Sequence, residues 1–293
     1  MNFVTTPEER FAELPGYPFA GRSFSWEGMN LHYLDEGSGR PVVLFHGEPT
    51  WSFLYRKVIP LLAAAGFRAI APDYPGFGKS DKPTDPDFYT YDNHVAAMNA
   101  LVRHLDLDGA TAVVQDWGGP IGLRVAMENQ DRFARLSILN TGLFTGGGSN
   151  PAFTAWRSFA EKNPDLPIAM IMGSASATPW PAEVLAAYEA PFPTMEHKVG
   201  AWRFPLIVPL QVNDPGAEAM AAVRDALASW DRPTQVLFST GDPIFSVRAG
   251  GRFVDLIPGA TGLETVDDAG HFLQEDAGEA VGAAIVAFLG RTA

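Results

Sequence analysis

Apolar and polar residues follow two different periods along this chain, and the two periods alternate from one segment to the next. Residues 22–36 alternate residue by residue around Glu27-Gly28, which predicts a β-hairpin. Short apolar segments then predict buried strands at 41–45, 67–72, 110–115 and 134–140. Between them, apolar residues recur at helical spacing over 53–62, 92–105 and 119–129. This order predicts a parallel sheet covered by helices and entered through an antiparallel hairpin.

The alternation stops between about residues 141 and 212. This segment contains Gly146-Gly147-Gly148, many prolines and several aromatic residues, and it shows helical stretches but no clear strand. The alternation then returns, with a helix over 216–229, a strand over 234–240, a further helix, a strand over 263–266 and a closing helix over 275–289. We therefore expect an α/β core formed by residues 1–140 and 213–293, and a helical cap domain over 141–212.

Composition and charge exclude several classes of function. Apolar residues make up 46% and charged residues 19% of the 293 positions, as in ordinary globular proteins. The net charge of −13 would repel nucleic acid and anionic membrane surfaces, so neither is an expected partner. The chain has no cysteine, which excludes disulfides, thiolate zinc sites and a thiol nucleophile. No two of the six histidines stand at i, i+4 spacing with a carboxylate nearby, so no metal is expected. The amino terminus lacks a secretory signal pattern, which predicts a cytoplasmic protein.

The segment "VVQDWGGPIG", residues 113–122, has the pattern of a catalytic elbow. An apolar strand runs through a small-residue turn into a helix, and Gly118 and Gly119 leave room around Asp116, which stands where a nucleophile would be. The glycine that usually stands two residues before the nucleophile is absent, so the elbow is a variant. The alternative interpretation is an ordinary strand-to-helix turn in which Asp116 caps the helix.

The order of chemical groups along the chain favours the catalytic interpretation. Asp242 and His271 each follow a predicted strand, and nucleophile, acid and histidine in that order are typical of the α/β-hydrolase triad. Asp267 and Asp268 lie close to His271 in sequence and are expected to shape its loop. His46 precedes the nucleophile and is expected to be structural.

Several longer segments resemble haloalkane dehalogenases of the α/β-hydrolase fold, in the subfamily whose catalytic acid follows the strand after the cap. The matching segments span residues 32–276: "HGEPTWSFLYRK", "APDYPGFGKSDKP", "VVQDWGG", "FTAW", "AYEAPFP" and "DAGHFLQE". Asn140 agrees with this subfamily, because a related subfamily places its catalytic acid at the end of this strand and an amide cannot serve as one.

The resemblance implies a complete set of site residues. Asp116 is then the nucleophile, His271 the general base and Asp242 the acid that orients the histidine. Trp117 and Trp156 would bind the halide, and the backbone N–H groups of Glu48 and Trp117 would form the oxyanion hole. The reaction implied is hydrolysis of a small haloalkane by water through an aspartyl ester, releasing halide, without cofactor or metal and in a monomeric enzyme. No role follows for the Glu48 side chain.

Related activities and the walls of the substrate pocket leave alternatives open. Phe153 and Phe204 are expected as apolar walls of the substrate pocket, with simple packing as the alternative. An epoxide hydrolase uses the same nucleophile, but its relatives protonate the epoxide with two cap tyrosines, and residues 141–212 contain only Tyr188. A fluoroacetate dehalogenase would need arginines where Trp117 and Pro120 stand. The absence of a Gly-x-Ser-x-Gly segment disfavours a serine esterase, and a non-catalytic ligand-binding relative remains an alternative from another class.

Overall fold

A computed structural model describes residues 2–292, and its regular elements alternate in the predicted order. The strands within this range are β1 (Phe3–Val4), β2 (Arg22–Trp26), β3 (Met29–Gly37), β4 (Arg40–Phe45), β5 (Phe67–Pro72), β6 (Lys82–Pro83), β7 (Ala110–Val114), β8 (Phe133–Leu139), β9 (Thr234–Ser239) and β10 (Ala260–Val266). The helices are α1 (Ile59–Ala64), α2 (Tyr91–His104), α3 (Gly118–Glu128), α4 (Pro151–Lys162), α5 (Ile168–Ser174), α6 (Ala182–Glu189), α7 (Val199–Leu206), α8 (Ala217–Leu227), α9 (Val247–Leu256), α10 (Leu273–Asp276) and α11 (Gly278–Arg291).

Eight strands form one twisted sheet in the order β10-β9-β8-β7-β4-β5-β3-β2. The six strands from β10 to β5 are parallel, whereas β3 and β2 run antiparallel at one edge. Every residue of β7 is buried, as expected for a strand covered by helices on both faces of the sheet. The predicted fold class, a mostly parallel α/β-hydrolase sheet, is confirmed.

The antiparallel edge begins as the predicted hairpin. Glu27 and Gly28 have positive φ, 52° and 81°. Positive φ at both central residues is typical of the type I′ turn, whose twist matches the right-handed twist of the two strands it joins. Trp26 pairs with Met29 across this turn. The short pair formed by β1 and β6 was not predicted, because two residues in each strand are too few to show a period.

Two predicted helices are interrupted in the structure. The apolar run over 53–62 divides into a 3₁₀ turn, Ser52–Tyr55, and α1. Pro60 lies in the first turn of α1, where its missing N–H costs nothing, whereas a helix continuing from residue 53 would place it in the interior. The closing helix divides into α10 and α11 at Ala277, whose φ of −135° and ψ of 40° are not helical.

Residues 141–212 connect β8 to α8 and contain α4, α5, α6 and α7. The β-structure in this segment is a single isolated bridge between Gly147 and Gln211. Residues from α4 and α5 face residues that follow β4, β7 and β10 across one cavity, so these helices lie over the carboxyl ends of the parallel strands. Active sites in open parallel sheets form at this edge.

Candidate active site

The turn from β7 into α3 presents Asp116 in a left-handed backbone conformation, with φ of 49°. Such a φ costs a non-glycine residue of order 1–3 kcal/mol and is typical of functional turns. The neighbouring chain is very close: a Cβ at Gly118 would lie 2.1 Å from the Phe45 carbonyl oxygen, and one at Gly119 would lie 1.9 Å from Oγ1 of Thr141. The glycines after Asp116 are therefore required by the approach of β4 and β8.

One oxygen of the Asp116 side chain is held by the backbone. The N–H of Glu48 donates to Oδ1 at 2.8 Å, whereas Oδ2 lies 3.6 Å from Nε2 of His271. Gly47 allows this approach, since a Cβ there would lie 2.4 Å from the Cβ of Asp116. The two carboxylate oxygens of Asp116 thus have different surroundings, one facing a backbone donor and the other facing the histidine.

Asp242 lies directly behind His271. Its Oδ2 is 2.8 Å from Nδ1 of His271, and its Oδ1 accepts hydrogen bonds from the N–H groups of Ile244 and Phe245 at 2.7 and 3.0 Å. The two backbone donors orient the carboxylate, and the carboxylate in turn orients the imidazole. Asp267 and Asp268 are exposed on the loop before His271, as expected for residues that only shape the loop.

The charge state of His271 depends on both carboxylates. Burial alone would lower the pKa of the imidazole, but Asp242 and Asp116 together raise the pKa of His271 to about 10. With Asp116 unmodified, His271 is therefore an imidazolium at neutral pH.

Two amide side chains hold the His271 loop from the side of the sheet. The Nδ2 group of Asn140 lies 3.1 Å from the Gly270 carbonyl and 3.2 Å from the His271 carbonyl, and its Oδ1 accepts the N–H of Ser239 at 2.8 Å. Nε2 of Gln115 donates to the His271 carbonyl at 3.2 Å. These roles were not predicted from the sequence.

A cavity of about 190 Å³ opens above these groups and is lined mainly by apolar and aromatic side chains. Its lining includes Glu48, Asp116, Trp117, Phe144, Phe153, Trp156, Val208, Phe245 and His271. Among residues 2–292, the indole N–H groups of Trp51 and Trp180 donate to protein oxygens, and those of Trp202 and Trp230 are buried without an acceptor. Trp117 and Trp156 differ from these in lining the cavity, and their indole N–H groups make no hydrogen bond to the described protein. The indoles of Trp117 and Trp156 are thus available to an anion inside the cavity.

Of the two expected pocket walls, the structure places one at the cavity and one behind it. Phe153 lines the cavity and packs on Phe144 with ring centroids 5.8 Å apart. For Phe204 the geometry favours the packing alternative, because its side chain packs edge-on against Trp117 with ring centroids 4.9 Å apart and is not among the residues that line the cavity. The next residue, Pro205, lines the cavity, because adjacent helical residues point about 100° apart.

His46 and Glu48 are both buried beside the nucleophile. Burial lowers the pKa of His46 to about 4, and its Nε2 accepts the N–H of Tyr74 at 3.2 Å, so it is a neutral structural group, as expected. Burial, reinforced by Asp116, raises the pKa of the Glu48 carboxyl well above its ordinary value. Oε1 of Glu48 has no hydrogen-bond partner within the described residues. Burial and the neighbouring Asp116 carboxylate thus both favour the neutral form of the Glu48 carboxyl.

The part of the chain that the structure describes has neither a metal-binding cluster nor a membrane-spanning helix. Residues 2–292 contain no group of three or more histidine, aspartate or glutamate side chains arranged to hold a metal ion. No helix in this range has both the length and the apolar character needed to cross a membrane.

Comparison with known proteins agrees with this geometry. A family model described as the alpha/beta hydrolase fold matches residues 40–278. A haloalkane dehalogenase from Psychrobacter cryohalolentis is 44% identical, covering 99% of this chain and 98% of the relative. The tetrameric structure of haloalkane dehalogenase DpaA from Paraglaciecola agarilytica NO2 superposes with a TM-score of 0.91 at 33% identity, covering 97% of each chain. A cis-3-alkyl-4-alkyloxetan-2-one decarboxylase from Shewanella oneidensis is 33% identical over 90% of this chain and 86% of its own length.

The family match covers most of the chain, and the 44% identity extends over almost its full length, including the elbow and the histidine loop. The aligned region therefore includes the sheet with its helices and also the helices that lie over the cavity. The chain belongs to the haloalkane dehalogenase family of the α/β-hydrolase fold.

Proposed function

We propose that this protein hydrolyses carbon–halogen bonds of small haloalkanes, with Asp116 as the nucleophile. The observation that carries the proposal is the position of the Asp116 carboxylate, which faces an apolar cavity on one side and His271 on the other. A carboxylate needs no base to attack a tetrahedral carbon, and it leaves an ester that water can cleave. A cavity of about 190 Å³ accommodates a small substrate.

In the first step, Oδ2 of Asp116 forms a bond to the halogen-bearing carbon while the carbon–halogen bond breaks and halide leaves with the bonding electrons. Oδ1 becomes the carbonyl oxygen of the resulting ester, and the Glu48 N–H already donates to it at 2.8 Å. The halide leaves on the side opposite Asp116. The indole N–H groups of Trp117 and Trp156 stabilise the halide by hydrogen bonds without holding it by a full charge.

In the second step, water attacks the ester carbonyl of Asp116. His271 accepts a proton from this water, Asp242 stabilises the imidazolium, and the negative charge that develops on Oδ1 is held by the backbone N–H groups of Glu48 and Trp117. Collapse of the intermediate releases the alcohol and restores the Asp116 carboxylate. The base must be neutral for this step, although the pKa of His271 is about 10 before substrate binds.

Esterification itself resolves this difficulty. Once alkylated, Asp116 carries no negative charge, so one of the two carboxylates that raise the pKa of His271 is lost. The imidazolium then releases its proton to solvent and becomes a base. The overall balance is haloalkane plus water giving alcohol, halide and a proton, and the proton leaves after the first step.

The proposal extends to the domain organisation, the oligomeric state and the location of the protein. Residues 141–212 act as a cap domain on a core of residues 1–140 and 213–293, because α4 and α5 supply one wall of the cavity. We expect a monomer and a cytoplasmic location. The relative DpaA is tetrameric, so light scattering on the purified protein distinguishes a monomer from a tetramer of that kind.

Two other reactions are alternatives, and in each the substrate is a strained ring instead of a haloalkane. An epoxide needs an acid for its oxygen, but the hydroxyl of Tyr188 is buried, donates to Oε2 of Glu275 at 2.7 Å and does not face the cavity. This geometry disfavours an epoxide hydrolase. The relative from Shewanella oneidensis supports oxetan-2-one decarboxylation as the second candidate, at lower identity than the dehalogenase.

Incubation of the purified protein with 1-bromobutane and 1,2-dibromoethane tests the proposal through bromide release. The control is Asp116→Ala, which lacks the nucleophile and should release no bromide above background. Parallel incubations contain a small epoxide or a dialkyl-oxetan-2-one, with diol or alkene as the product measured. Turnover of either ring compound without bromide release from either haloalkane would overturn the proposal.

A further inference from the structure

The loop that carries His271 is attached to the helical insertion as well as to the sheet. The backbone N–H of His271 donates to the carbonyl of Ala175 at 3.1 Å, at the end of α5. Gly270 is in close contact with the same segment, since a Cβ there would lie 2.6 Å from the Ala175 carbonyl oxygen and 3.0 Å from the Ala177 nitrogen. Ala175 also lines the cavity. The base and one wall of the substrate cavity are therefore in direct backbone contact.

Asp276, the last residue of α10, connects both sides of this contact. Its Oδ2 accepts the N–H of Gly270 at 2.8 Å and the N–H of Ala177 at 3.0 Å. Its Oδ1 accepts the indole N–H of Trp180 at 2.7 Å. One carboxylate thus binds the residue immediately before the base and two residues of the insertion, which would otherwise be linked only by the His271–Ala175 bond and by packing.

We propose that Asp276 is a positioning residue that fixes His271 relative to the helical insertion, and that ester hydrolysis depends on it more than esterification does. The reason lies in which groups each step uses. Esterification needs Asp116 and the indole donors of the cavity, and none of these contacts Asp276. Hydrolysis needs Nε2 of His271 within reach of a water beside the ester, and an error of about 1 Å in such a group can cost on the order of a hundredfold in rate.

The same hydrogen bonds attach one part of the insertion to the core. The segment from Ala175 to Trp180 cannot move away from the core without breaking hydrogen bonds to Asp276 and displacing the loop of the base.

The test separates the two half-reactions in the full-length enzyme and rests on the dehalogenase activity proposed above. Asp276→Ala is compared with Asp267→Asn, which also removes one negative charge but from an exposed position on the loop before His271. Single-turnover mixing with 1-bromobutane gives the rate of bromide release, and mass spectrometry of quenched samples gives the fraction of alkylated enzyme. Thermal unfolding shows whether each variant is folded.

For Asp276→Ala we expect esterification within about threefold of the unsubstituted enzyme, ester hydrolysis slower by about tenfold or more, and accumulation of alkyl-enzyme, with Asp267→Asn unchanged. Trp180→Phe removes only the bond to Oδ1 and should give a smaller effect in the same direction; it also serves if Asp276→Ala does not fold. Equal loss in both steps, or no change in hydrolysis, would overturn the role of Asp276. Absence of bromide release from the unsubstituted enzyme would instead overturn the proposed function.

Discussion

The strongest test of the chemistry is the effect of the nucleophile's charge on the proton affinity of His271. Asp116→Asn replaces the carboxylate by a neutral group of almost the same shape, so it imitates the charge state of the alkylated enzyme. In the unsubstituted protein the pKa of His271 is about 10, with Asp242 and Asp116 raising it against the effect of burial. The variant keeps Asp242 and loses the contribution of Asp116, so the pKa of His271 should fall.

The size of the effect follows from the geometry. Nε2 of His271 and Oδ2 of Asp116 are 3.6 Å apart, and both side chains are largely buried. Two unit charges about 4 Å apart interact by about 4 kcal/mol at an effective dielectric constant near 20. Because about 1.4 kcal/mol corresponds to a tenfold change in proton affinity, the substitution should weaken proton binding at His271 by roughly a thousandfold.

The assay is an NMR titration of protein carrying labelled histidine, with the His271 resonance assigned by its loss in His271→Gln. Mass spectrometry after the titration verifies that the amide has not hydrolysed. We expect the unsubstituted protein to titrate at this site near pH 10 and Asp116→Asn to titrate at distinctly lower pH. If both proteins titrate at the same pH, the carboxylate at 3.6 Å does not control the base, and activation of His271 by esterification is wrong.

Four further substitutions test three separate features: the base, the halide donors and a buried ion pair. His271→Gln should release about one halide per active site and then stop, with the ester detectable by mass; continued turnover would show that another group is the base. Trp117→Phe and Trp156→Phe each remove one indole donor and should slow single-turnover halide release by about tenfold or more, whereas an unchanged rate for either would remove that residue from the halide site. Glu275→Gln leaves the buried Arg56 without its counter-ion and should lower the free energy of unfolding in urea by about 3 kcal/mol; a change below about 1 kcal/mol would show that the pair contributes little to stability.

The sheet and the catalytic groups could be predicted because their signals are local or depend only on chain order. The hairpin turn at Glu27-Gly28, the glycines after Asp116 and the placement of Asp242 and His271 after strands are all visible in short segments. Parallel strands bring their carboxyl ends to one edge of the sheet. His271 therefore meets Asp116, which is 155 positions away in the sequence, and Asp242, which is 29 positions away.

The remaining features depend on which way side chains point and which distant segments meet. Asn140 and Gln115 contact the loop of His271 across separations of 130 and 156 residues, and no periodic pattern records such a pairing. Phe204 was expected at the cavity wall, but a step of one residue along α7 decides whether a side chain faces the cavity or Trp117. Asp276 resembles any acidic residue in a short helix until its three hydrogen-bond donors are placed around it.

The division of the cavity between two parts of the chain also bears on how this enzyme can diversify. The reacting groups stand on loops that follow strands of the sheet. Phe144 instead lies just before the glycines at 146–148, and Phe153 and Trp156 lie in the first half of α4. Substitutions at Phe144 and Phe153 alter the shape presented to a substrate without touching the groups that transfer protons. A combinatorial library restricted to these two positions should therefore yield variants with new substrate preferences at a high frequency of retained turnover, which makes this stretch the natural target for directed evolution.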